Sequence, residues 1–482
     1  MMGAMNGRTI SPNQTKLIFI IPFLTTLLYT TYLFFFSSIQ VTNDALEYER
    51  LGKIIYEHGL VGYFQNGPAR EPLYPLLITL SMKIASWTSF SYLKIQTIIQ
   101  IAFLLLTQFL TYRLLRRLNI TPWIISTTIL YIGFSPALIN STFSLYSEII
   151  TYPLILAIIF VILKTWRMFE QCSIGKAFLQ AALLTFLFIL ITCVKAIFGY
   201  IAVALLFPFI ILLMRSLFKK NYRVTLNSFV FITTFLILLG LFMFSFKSLN
   251  KKYNGFFNFA DRGYLLYANS ARRTIPFSMT KLKAAIAYIP GEGLCPSMAD
   301  HKDDCYYWSI ASADGFGYRK CMALLDEGVP RTELESHLNS AAVDRVLKSP
   351  IPYIFFTFLE SLKMFFWEST KIGSVTYPSW LEGLFDNAIF KNGLRFTISI
   401  ITIWSMIYLA GFVWRKRKFI FDVKSAESEI VQIYFFMLVL IGIFVGLYSL
   451  IQIIPRYLFT IVPFYLIAIA FYFEQKLTKR VK

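Results

Sequence analysis

The sequence predicts an all-α polytopic membrane protein of about ten transmembrane helices, and three observations predict it. Hydrophobic residues make up 57% of the 482 positions and charged residues only 15%, with a mean hydropathy of +0.61. Apolar runs of about twenty residues, the length that crosses roughly 30 Å of hydrocarbon, recur along the chain. Basic residues gather in the short loops at alternate ends of these runs, the pattern of cytoplasmic loops. The net charge of +20, from 46 basic and 26 acidic residues, is thereby assigned to loops facing the cytoplasm and not to nucleic acid.

Leu17 to Ile39 is the first span, preceded by Arg8 and Lys16. It is too long for a signal-peptide core and has no small-x-small cleavage site, so it is kept as a helix with the N-terminus cytoplasmic. Further spans are Lys94 to Leu115, Pro122 to Ser141, Ile149 to Leu163, Ala177 to Val194, Ala196 to Met214, Leu226 to Phe246, Leu394 to Trp414, Ile430 to Leu450 and Tyr457 to Phe473. Alternation puts Arg113, Arg116 and Arg117, then Lys164 and Arg167, then Arg215, Lys219, Lys220 and Arg223 inside. Arg415 to Lys418 follow, and finally Lys476, Lys479, Arg480 and Lys482, so the C-terminus is cytoplasmic too.

The same alternation leaves residues 40–93, the tip Ser144 to Glu148, the hinge at Lys195, residues 247–393 and the loop Gln452 to Arg456 on the outer face. The chain divides into an N-terminal transmembrane module, 1–246, containing the first outer loop 40–93; an extracytoplasmic region of mixed structure, 247–393; and C-terminal transmembrane helices, 394–482. In the first loop, Asp44 to His58 sets Leu46, Leu51, Ile54 and Ile55 against Glu47, Glu49, Arg50, Lys53 and Glu57, an amphipathic interfacial helix. Leu73 to Trp87, interrupted by Lys83, is short for a span and reads as interfacial or half-inserted. Pro350 to Trp367 carries Glu360 and Lys363 in its middle and reads as a helix lying along the surface.

Chemistry must rest on carboxylates and basic side chains. The chain has no phosphate-binding Gly-x-x-x-x-Gly-Lys loop, dinucleotide fingerprint, His-Glu-x-x-His or Cys-x-x-Cys, and its histidines are only His58, His301 and His337. Asp300 to Cys305 has one His and no spaced ligand pairs, so a solvated loop is the better reading than a metal cluster. No cofactor is implied, and dependence on a divalent metal stays open. Cys295, Cys305 and Cys321 lie in the outer region, where disulfides form; their pairing is open from sequence.

Asp44 stands just after the first apolar run, ahead of Arg70-Glu71-Pro72-Leu73-Tyr74-Pro75. Carboxylates at a membrane edge are costly and point to function. Together with Gly52 and Gly59, Ser147-Glu148, Lys195, and Pro455-Arg456-Tyr457 followed by Pro463, this order of features resembles the integral-membrane GT-C glycosyltransferases that use polyprenyl-phosphate sugars, the protein mannosyltransferase and aminoarabinose transferase group. The likeness covers about residues 17–246 and the last 90 or so; residues 247–393 lie outside it.

The resemblance implies an inverting transfer of sugar from a polyprenyl-phosphate donor to a lipid, glycan or protein acceptor at the outer face of the cell membrane. It makes Asp44 the general base and Glu148 a second acid that orients acceptor or sugar. Arg70, Lys195 and Arg456 would hold the donor phosphate, and Glu47, Glu71, Tyr74 and Tyr457 would contact substrate. Asn43-Asp44-Ala45 lacks the acid that the family often carries beside the first one, and this argues against a metal-dependent version. The alternatives are a transporter or lipid flippase, or a non-catalytic binder of lipid-linked glycans. Transporters carry charges at the bilayer midplane and internal repeats, whereas here the charges fall at helix ends.

Overall fold

The computed structural model describes residues 12–480 apart from 68–69, 172, 260–262, 292–294, 299–304, 306–307, 369–370, 372 and 423–424. Within them the chain is helical almost throughout, and nine helices are long and apolar enough to cross a membrane. A bent pair, broken by 47°, makes a tenth if it counts as one span. The protein is an all-α polytopic membrane protein.

The N-terminal module consists of α1 (Pro12–Phe36), α2 (Asp44–Gln65), α3 (Leu73–Ala85), α4 (Tyr92–Arg117), the bent pair α5 (Pro122–Phe134) and α6 (Pro136–Phe143), α7 (Glu148–Met168), α8 (Ile174–Thr192), α9 (Ile197–Ala204), α10 (Leu206–Phe218) and α11 (Tyr222–Asn254). Helix α11 runs eight residues past Phe246, so the outer region begins later than the hydropathy suggests. The C-terminal part is three long helices, Ala388–Arg415, Ala426–Ile451 and Val462–Arg480, the last two joined through a tight 3-10 turn at Pro455–Ile461.

Small residues let the helices approach closely. A Cβ on Gly133 of α5 would lie 1.9 Å from Thr26 Oγ1 of α1, so only glycine fits this crossing. Polar side chains inside the bundle are mostly paired, as a dry interior demands. Gln100 of α4 accepts from Tyr74 (2.7 Å) and donates to the carbonyl of Ser144 (2.9 Å), pinning the tip that leads into α7.

Helix ends alternate between two faces of the bundle. One face gathers basic residues: Arg167 pairs with Glu429, Arg223 donates to the Gln171 carbonyl, and Arg215 lies over Phe421. The opposite face carries α2, α3 and the outer region. Helix α2 breaks at Gly59, whose φ of 64° suits glycine and few other residues. Helix α3 has 13 residues and does not cross. Between α1 and α2, strand Ser38–Gln40 pairs antiparallel with Ser374–Thr376, and Thr42 Oγ1 donates to Ser374 Oγ at 2.9 Å. This clasp fixes the segment that delivers Asp44.

In the outer region Cys295 and Cys305 form a disulfide, beside Trp308 and Phe356; Cys321 is not part of it. Asp300 to Asp304 lie outside the described residues. Helix Pro350–Ser361 has 12 residues, and Lys363 lies in the 3-10 turn Leu362–Phe365 that follows it. Ile351, Ile354 and Phe358 are exposed, while Glu360 and Lys363 are buried.

Candidate functional site

Five separate stretches of chain meet on the face opposite the basic clusters. Asn43 takes a positive φ of 52°, a conformation Asn tolerates better than most residues, and turns the chain so that Asp44 opens α2. Arg70 follows the end of α2 and is held by its own carbonyl, which accepts from Tyr63 at 2.7 Å. Glu148 is the first residue of α7. Lys195 sits in the break between α8 and α9, and the Leu73 amide donates to the Cys193 carbonyl (2.9 Å), tying that break to the start of α3. Arg456 follows Pro455, which opens the 3-10 turn without an amide hydrogen to satisfy. Thr151 of α7 is bonded to Thr460 of that turn at 2.9 Å.

The charges interlock. Each Asp44 oxygen accepts from a different guanidinium: Oδ1 from Arg70 Nη2, and Oδ2 from Arg456 Nη2 at 2.7 Å. Lys195 Nζ donates to Glu148 Oε1 at 3.0 Å, and Arg456 Nε lies 3.6 Å from that same oxygen. Glu71 Oε1 accepts the Ala196 amide at 3.0 Å. Aromatic faces back the cations: Tyr48 under Arg70, Tyr146 under Arg456, and Tyr457 between Arg456 and Lys195, all with centroids 5.2–5.6 Å away.

Burial alone would raise the Asp44 carboxyl, but Arg456 and Arg70 outweigh it and hold the group below the ordinary aspartate range. Two buried atoms of this cluster have no hydrogen-bond partner among the described residues: Glu148 Oε2, an acceptor, and Arg456 Nε, a donor.

Arg70, Glu71, Glu148, Lys195, Arg456 and Tyr457 border one cavity of about 280 Å³. Asp44 lies behind the two guanidiniums, with a quarter of its side chain exposed (26%). Two residues singled out by sequence stand elsewhere. Glu47 points outward into an ion pair with Arg50, and Tyr74 is buried against Gln100 and Tyr48. Sequence reasoning missed Asn258, Glu335, Asn339 and Gln452, which also line the cavity. The first three come from a polar region in which such residues carry no local signal. Among the described residues no group of three or more His, Cys, Asp or Glu side chains is arranged to hold a metal ion.

The fold and site thus define a polytopic membrane protein with an ionic cluster opening into a cavity at one end of its bundle. No protein-family model, curated protein or solved structure matches the chain.

Proposed function

We propose that this chain is a membrane glycosyltransferase that moves a sugar from a polyprenyl-phosphate donor to a lipid, glycan or protein acceptor on the extracytoplasmic face of the cell membrane. The observation that carries the reading is a cavity bordered by three cations, Arg70, Lys195 and Arg456, two of which also grip Asp44. An acceptor hydroxyl or amine attacks the anomeric carbon, the carbon–oxygen bond to phosphate breaks with inversion, and Asp44 takes the acceptor proton. Polyprenyl phosphate leaves, its growing charge met by the three cations through charge-assisted hydrogen bonds. Glu148 orients the bound sugar or acceptor.

Two features support the sidedness. The basic clusters lie on the face opposite the cavity, where cytoplasmic loops belong. The Cys295–Cys305 disulfide favours an oxidising compartment for the outer region. Both termini are then cytoplasmic.

Purified protein in detergent, given a radiolabelled polyprenyl-phosphate sugar and an acceptor extract, tests the proposal. Transfer of label with release of polyprenyl phosphate is the expected result. Movement of the labelled lipid across liposomes without transfer would favour a flippase, and binding alone a non-catalytic binder.

A further inference from the structure

The cavity has a second wall that the membrane bundle does not supply. Asn258 and Gly263 follow the end of α11, and Glu335 and Asn339 stand one turn apart on helix Arg331–Lys348, so they present to the same side. Asn258 Nδ2 donates to Glu335 Oε1 at 2.7 Å. A Cβ on Gly263 would meet Glu335 Cγ at 2.9 Å, so the glycine is what lets the chain lie against this turn. The wall offers a carboxylate and two carboxamides, a set that exchanges hydrogen bonds with hydroxyl groups.

The bundle side makes a matching demand. Glu148 is 2% exposed, and its Oε2 has no hydrogen-bond partner among the described residues; the neighbouring Arg456 Nε has none either. Glu148 borders the cavity, so its unpartnered oxygen suits a ligand that brings a hydroxyl hydrogen, while Arg456 Nε faces the other oxygen of the same carboxylate at 3.6 Å. Size narrows the choice, because about 280 Å³ is at the small end of ligand pockets and holds one sugar ring with its phosphate, not an oligosaccharide.

We propose that Glu335 and Asn339, on the wall supplied by the outer region, select which single sugar ring the cavity accepts. The phosphate lies against Arg456 and Lys195, one ring hydroxyl donates to Glu148, and the hydroxyls on the far edge of the ring meet Asn339 and Glu335. This rests on the glycosyl-transfer reading. The outer region acquires a role as the sugar-selecting wall.

The test is binding to the full-length protein in nanodiscs. The probes are bare undecaprenyl phosphate, undecaprenyl phosphate carrying one sugar from a panel of pentoses, hexoses and amino sugars, undecaprenyl phosphate carrying a disaccharide, and free hexose 1-phosphate. One single-sugar lipid should bind about tenfold or more tighter than the bare lipid, and the disaccharide lipid no better than the bare one. Glu335→Gln and Asn339→Ala should each erase most of that preference, about the effect of one or two hydrogen bonds, while affinity for bare undecaprenyl phosphate stays within about twofold. A sugar preference that survives both variants would overturn the proposal, as would tight binding of the disaccharide lipid. Binding of hexose 1-phosphate as tight as that of the sugar lipid would overturn the lipid part of the reading it rests on. If no undecaprenyl phosphate of any kind binds, the glycosyl-transfer reading itself fails and this proposal with it.

Discussion

Asp44 and Glu360 are each gripped by more than one cation, yet they sit in opposite settings. Glu360 is 1% exposed; its Oε1 meets Lys363 at 2.9 Å and Arg272 at 2.8 Å, and its Oε2 meets Arg273 at 2.6 Å. Arg273 also donates to the Ser449 carbonyl at 2.6 Å, so this cluster bolts the outer region to the end of helix Ala426–Ile451. Both oxygens of Glu360 are taken by the protein. Unpartnered polar atoms occur at both places among the described residues, Glu148 Oε2 near Asp44 and Arg273 Nη2 beside Glu360, but only around Asp44 do the cations border a cavity. Ionic density alone does not mark a site; cations that border an open volume do.

This contrast can be broken in three ways. The largest effect is expected at Glu360→Gln, which strands Arg272, Arg273 and Lys363 in a buried setting and should cost about 3–5 kcal/mol of stability. Purified variant should melt at a markedly lower temperature, with donor binding per folded molecule unchanged. Next come Lys195→Ala and Arg456→Ala, which strip a partner from buried Glu148 and so lower the melting temperature too, but which, unlike Glu360→Gln, should weaken donor binding per folded molecule by about 1.5–3 kcal/mol for each lost charge-assisted bond. Titration with a polyprenyl-phosphate sugar measures it, and wild-type affinity in both would remove the phosphate assignment.

The smallest effect is a pH shift. Arg456 and Arg70 hold the Asp44 carboxyl down, so its ionised form persists below the ordinary aspartate value of about 3.9 and is lost only as pH falls through the lowered folded value. The acid limb of kcat/KM should therefore lie below that value in wild type and move up in Arg456→Gln, where the strongest opposing charge is gone. A limb that stays put would separate Asp44 from the rate.

How much of this is legible in the sequence depends on how rare each signal is. Asp44, Arg70, Glu148, Lys195 and Arg456 stand out because a charge at the edge of an apolar run is expensive and infrequent. The membrane helices are equally plain, since the core of a soluble domain rarely calls for an unbroken apolar run of about twenty residues. Glu335 and Asn339 are invisible by the same logic, being ordinary residues of a polar helix whose placement depends on tertiary packing. The pairing of Ser38–Gln40 with Ser374–Thr376 involves three residues per strand, too few for alternation to register. The burial of Glu360 carries no local signal because Arg272 and Arg273, which pair with it, lie nearly ninety residues earlier in the chain; Lys363 is held in turn by Glu360. Glu47 lies within a helical turn of Asp44, yet its nearer partner Arg50 claims it.

The most direct test of the account is Asp44→Asn in purified, folded protein. The carboxamide keeps the shape and cannot take the acceptor proton, so the account predicts that sugar transfer falls by about 100- to 10,000-fold while the variant still melts cooperatively and binds the polyprenyl-phosphate donor. Turnover near the wild-type rate by folded, donor-binding Asp44→Asn would contradict it.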